Sequence, residues 1–157
     1  MSKLTKIVLQ QEVLDLDIPD ITTAFESNLN GLQECMAKIE EELERIRLFP
    51  DRQGKECEYE PLKSAGCRKD KVFSSKSLQT TKGEAPDLRI IYRYDDTTDT
   101  VRVESIGFRV KEKPRPDHDP YSKAGQRIIQ REQEGINARK AKHRKSSCFA
   151  FLVDQSS

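Results

Sequence analysis

Basic side chains able to grip phosphate gather in the middle of the sequence, where Lys63, Arg68, Lys69, Lys71 and Lys76 lie close together and Arg89 and Arg109 follow. An arginine's planar guanidinium donates to two phosphate oxygens at once and stays charged, and lysines beside it add point charges. A surface built from Lys63–Lys82 would contact a polyanion such as RNA largely through its phosphates. His118 titrates near neutral pH and is a candidate acid or base. Each residue taken singly has a plainer reading: Arg89 paired with a carboxylate, Arg109 a solvated strand end, His118 an inert loop residue.

The charge distribution favours a polyanionic or acidic partner. The 157 residues carry a net charge of +1, but residues 1–60 hold 7 Lys/Arg against 14 Asp/Glu, whereas residues 61–157 hold 21 against 13. Segregation of this kind concentrates a positive field on one part of the surface. Hydrophobic residues make up 34% and charged residues 35%, with no tryptophan, which suits a thin two-layer domain with a shallow site. The apolar stretch Ile7–Leu9 is too short for a signal peptide, and no run approaches the ~20 residues of a membrane span, so the expected location is cytoplasmic. Cys35, Cys57, Cys67 and Cys148 lack paired spacing, and a metal held by Cys57 and Cys67 with His118 or His143 is not expected.

The elements that must position the basic residues follow from hydrophobic period. Lys6–Leu16 reads as an opening edge strand. Phe25, Leu29, Leu32, Met36, Ile39, Leu43 and Ile46 recur at helical spacing, with Asp20 or Thr22 as possible caps and a break near Asn28–Gly31. Asp51–Glu60 reads as a loop, Val72–Phe73 as a short strand and Ser74–Pro86 as a mobile insertion. Leu88–Tyr94 and Thr100–Ile106, joined by the polar turn Asp95–Asp99, form the clearest hairpin. A proline-punctuated loop, Val110–Pro120, leads to a helix beginning at Tyr121 or Ser122 that loses its apolar stripe after Ile129. The fold class is therefore α+β: a small, mainly antiparallel sheet packed against an N-terminal helical hairpin, with a basic C-terminal helix or arm. Residues 1–130 are expected to form the domain and 131–157 a basic, flexible extension.

Several strings in this order resemble the RelE/ParE toxin superfamily, and its RelE-type mRNA interferase branch most. Asp87-Leu88-Arg89-Ile90-Ile91-Tyr92-Arg93-Tyr94-Asp95 is similar to the family's central strand, and Ile106-Gly107-Phe108-Arg109 to the close of the next. Pro61-Leu62-Lys63-Ser64 resembles the segment preceding the sheet, and Asp119-Pro120-Tyr121-Ser122-Lys123-Ala124 the C-terminal element. The resemblance implies a toxin that cuts mRNA on the ribosome without a metal or other cofactor, the ribose 2′-OH attacking the neighbouring phosphate, and that is restrained by a cognate antitoxin. It also implies roles. Arg89 and Arg109 would hold phosphate, Tyr121 would orient or stack on a base, Lys71 would join them as a catalytic cation, and Lys63, Arg68, Lys69 and Lys76 would bind RNA. Phe108 stands where family members often carry a polar group, and the loop after Arg109 is longer than the family's, which could bring His118 into the site instead. A ParE-like gyrase-inhibiting toxin and a non-catalytic RNA- or ribosome-binding module are the alternatives.

Overall fold

The computed structural model describes residues 5–80 and 83–156, with side chains described as far as Lys142 apart from Thr80. The opening strand β1 (Lys6–Leu9) is shorter than its sequence suggests. After Gln10 the chain coils through a π-helical turn (Val13–Asp17) into α1 (Ile18–Ala24). The reason lies in which residues are buried: Val13, Asp17 and Ile21 are four apart, a helical face rather than a strand's alternation. Helix α2 (Leu29–Leu48) starts where the Asn28 side chain accepts the Gly31 N–H at 2.9 Å, so Asn28 is the break, and Asn30 and Gly31 lie inside the helix.

Five strands form one sheet in the order β1-β5-β4-β3-β2. They comprise β1, β2 (Lys55–Glu56), β3 (Cys67–Val72), β4 (Leu88–Asp95) and β5 (Thr100–Phe108). The order puts β1 on one edge, and its pairing with β5 is the parallel one. Strand β3 begins five residues before the expected Val72 because its charged run Arg68–Lys71 alternates between faces, with Cys67, Asp70 and Val72 buried. Within the expected loop Ser74–Pro86 lies a short helix, α3 (Lys76–Thr80); residues 81 and 82 are outside the described part.

One sheet face carries the main apolar cluster, and the other carries the cations beside the buried Ile91 and Cys67. Leu88, Ile90 and Tyr92 of β4 join Val101, Val103 and Ile106 of β5, and against them pack Val13, Ile21, Cys35, Ile39 and Ile46 from the N-terminal helical segments. Each large side chain so buried contributes roughly 1.5–3 kcal/mol. The chain divides into two compact units, Met1–Gly125 and Gln126–Ser157, and α4 (Pro120–Ser156) runs through the division. In the second unit exposed polar side chains bridge one helical turn, Gln130 to Glu134 at 3.1 Å and Gln133 to Asn137 at 3.2 Å. No helix among the described residues is long and apolar enough to cross a membrane.

Two carboxyl groups interrupt the core face. Asp70 and Glu42 are 6% and 8% exposed. Glu42 accepts from Gln53 at 2.5 Å and Arg45 at 2.9 Å, while the Asp70 Oδ2 atom is buried without a partner. Burial, reinforced by the Glu42 carboxyl, pushes Asp70 up to about 8. The fold therefore prefers Asp70 protonated. Its contribution to stability is complete below its ordinary value of 3.8 and is lost as pH rises through about 8. Denaturant titrations across this range should show stability falling with pH. Asp70→Asn should flatten that fall and exceed the parent's stability above pH 8, whereas an unchanged slope would contradict the protonated assignment.

Candidate phosphate-binding site

Strand register sets the centre of the site. Lys71 on β3 lies directly across from Arg89 on β4, which lies across from Gly107 on β5, and Lys55 on β2 lies across from Lys69. Alternation puts Lys69, Lys71 and Arg89 on the face opposite the apolar core. Arg109 follows the end of β5 and is held there by its N–H bond to the Asp87 carbonyl at 2.8 Å. Asp87 is itself fixed, its carboxylate accepting from the Ser74 N–H at 2.8 Å and hydroxyl at 2.5 Å.

The start of α4 completes the site. Asp119 is fully buried and accepts the Tyr121 N–H at 2.9 Å and the Val110 N–H at 3.1 Å, joining the strand exit to the helix start. Pro120 occupies the first helical position, where its missing N–H costs nothing, and its carbonyl accepts from the buried Ser105 hydroxyl at 2.7 Å. Lys123 reaches the buried Asp17 carboxylate at 2.8 Å, and that carboxylate also accepts the Ile106 N–H at 2.9 Å. Packing around Gly107 is close, since a Cβ there would stand 3.1 Å from the Lys123 ammonium.

These links set Tyr121 among the cations. Its hydroxyl accepts from Arg89 Nε at 3.1 Å, its ring lies 4.2 Å from the Arg115 guanidinium and 5.9 Å from the Lys69 ammonium. Cation–ring contacts of this kind are worth roughly 0.5–2 kcal/mol. Arg89 is only 2% exposed, and its Nη1 donates to the Pro86 and Leu88 carbonyls at 2.8 and 2.9 Å. Those bonds engage Nε and Nη1 and leave Nη2 outside them. Lys71 is exposed, yet desolvation and then the charges of Arg89, Lys69, Lys55 and Arg109 lower its pKa. Among the described residues no ion pair includes Lys55, Lys69, Lys71, Arg89, Arg109 or Arg115.

The residues singled out in the sequence thus divide. Arg89, Arg109, Tyr121, Lys69 and Lys71 come together. Arg68 turns to the opposite face, donating to the Gly54 carbonyl and lying 3.8 Å from Glu56. Lys63 is exposed beside Glu60, whose pKa is lowered first by Ser64 and more weakly by Lys63. Lys76 starts α3 with its N–H on Glu34. His118 is exposed on the loop before α4. Lys55 and Arg115 are cations of the cluster that the sequence reading did not single out, Lys55 because β2 has only two residues and Arg115 because its loop shows no periodicity. Cys57 and Cys67 are buried free thiols, with the Cys57 N–H bonded to the Cys67 carbonyl at 3.0 Å. The described residues contain no group of three or more His, Cys, Asp or Glu able to hold a metal.

No protein-family model matches the chain, and no curated protein matches it. Two solved structures are similar to it. One is the toxin–antitoxin complex RelBE2 from Mycobacterium tuberculosis, at 18% identity and a TM-score of 0.43, covering 68% of this chain and 100% of the other. The other is a double arginine-to-alanine mutant of the E. coli toxin RelE in the free state, at 15% identity and a TM-score of 0.47, covering 80% of this chain and 99% of the other.

Because Asp119 both caps α4 and holds Val110, Asp119→Ala should cost about 1–2 kcal/mol in a denaturant melt. Asp119→Asn, which keeps an acceptor for the cap, should lose less; equal losses would argue against the cap as the source.

Proposed function

We propose that this chain is the toxin of a toxin–antitoxin pair, a RelE-type endoribonuclease that cuts mRNA on the ribosome by metal-independent attack of a ribose 2′-OH on the adjacent phosphate. The observation that carries the reading is the cluster of cations outside any ion pair that surrounds Lys71, the kind of field a phosphate would neutralise. The motif resemblance through Arg89, Arg109 and Tyr121 supports the same assignment.

In the proposed reaction the O2′–P bond forms as the P–O5′ bond breaks, the 2′-OH proton passing to solvent water and the leaving 5′ oxygen taking a proton from the site. Arg109, exposed at the end of β5, and Nη2 of Arg89 stabilise the charge growing on phosphate. Lys71 stands across from Arg89, where its ammonium can give a proton to the leaving oxygen. Tyr121 positions the Arg89 guanidinium through its hydroxyl. The ribosome supplies the mRNA strand, and a cognate antitoxin would cover the basic face with an acidic segment carrying apolar anchors.

The burial of Arg89 favours one rival reading, a non-catalytic RNA- or ribosome-binding module in which this arginine is structural. Purified chain added to translating ribosomes separates the two. On the interferase reading mRNA is cut, and Arg109→Ala or Lys71→Ala lowers the single-turnover rate by about 100- to 1,000-fold with melting unchanged. Ribosome binding without cleavage would support the module, and full cleavage by both variants would end the assignment of these residues.

A further inference from the structure

The site as described so far would hold one phosphate, yet its cations extend past it. Arg115 lies beyond Tyr121, its guanidinium 4.2 Å from the ring, while Arg89 approaches the same tyrosine at the hydroxyl. It is half-buried, and no ion pair of the described residues includes it. Its backbone is constrained on both sides, since Pro114 and Pro116 flank it and the Pro116 carbonyl accepts the Asp119 N–H at 3.1 Å. The Val110 N–H bond to Asp119 closes the same loop at its base. A cation held against a ring by a loop tied at both ends loses little freedom on binding an anion. Lys69 lies 5.9 Å from the same ring centroid and contributes to the field at Lys71, so it stands near both Lys71 and the ring that Arg115 approaches.

We propose that Arg115 binds a second phosphate of the RNA strand, next to the one held by Lys71 and Arg109, and that Tyr121 serves as the spacer that sets both arginines rather than as an open platform for a base. The proposal rests on reading the site as an RNA site.

Binding of a short 2′-O-methyl oligonucleotide, which cannot be cleaved, tests the idea separately from catalysis. Each phosphate contact to a single strand adds about 0.7 to the slope of log affinity against log salt. Arg115→Ala should reduce that slope by about this amount and weaken binding roughly threefold to tenfold. Arg115→Lys should keep the slope. On ribosomes Arg115→Ala should raise KM and leave kcat in place, since the contact lies away from the reacting bond. In the wild-type chain the Arg115 Nε–H resonance should shift on oligonucleotide addition, a readout that survives even if the alanine variant misfolds. An unshifted resonance, an unchanged slope, or tighter binding by Arg115→Ala, the mark of a loop that covers the site, would overturn the proposal. Loss of cleavage activity in the parent with these binding effects intact would overturn only the catalytic reading.

Discussion

Lys71 and Arg89 are held directly opposite each other on neighbouring strands, and much of the site depends on that enforced approach of like charges. Such a pair opposes the sheet that contains it, by an amount on the order of 0.2–1 kcal/mol at an ordinary cross-strand position. The opposition is offset on the reverse face, where Leu88, Ile90 and Tyr92 alternate with Arg89 and Ile91 and anchor β4 in the core. Tyr92 adds a polar tie, its hydroxyl accepting the Gly54 N–H at 2.9 Å; a Cβ at Gly54 would lie 2.8 Å from that hydroxyl, so the bond requires glycine. Apolar burial on one side of the strand thus fixes a charge density on the other that the cations would not adopt by themselves.

The supports of the cluster are themselves buried or half-buried polar groups with defined partners. Asp87, Asp119 and Asp17 are all carboxylates, yet they accept from backbone N–H groups, a serine hydroxyl or Lys123, not from the cations of the site. Acidic side chains close to the cluster are in this way committed to holding its backbone. Among the described residues no ion pair engages the cations of the site, a condition in which an arriving phosphate gains more.

The hairpin of β4 and β5 was legible because Ile90, Ile91, Tyr92, Val101 and Val103 are β-branched or aromatic and flank a polar turn. The α2 helix was legible from the recurrence of Met36, Ile39, Leu43 and Ile46. The extent of β3 was not, because its Arg68–Lys71 run has the composition of a loop and becomes a strand only through pairing with β2 and β4. The turn from β1 into α1 was hidden for a related reason: Asp17 belongs to the buried face only by virtue of Ile106 and Lys123, which are remote in sequence. At the site, register brings Lys71 to Arg89, and the motif strings located the strand of Arg89 but not that of Lys71. The place of Arg115 depends on where Asp119 ties its loop, a tertiary contact with no local signature.

The Lys71 ammonium reports most directly on whether this cluster receives a phosphate, since its pKa is lowered by desolvation and by the neighbouring cations. Its titration can be followed by NMR with and without a 2′-deoxy dinucleotide, which carries the phosphate but no attacking hydroxyl. A phosphate seated against Lys71 neutralises the repulsion it feels from Arg89, Lys69, Lys55 and Arg109, so the account predicts that its pKa rises when the dinucleotide binds. A dinucleotide that binds while the Lys71 titration stays where it was would contradict the central claim, because the phosphate would then lie elsewhere.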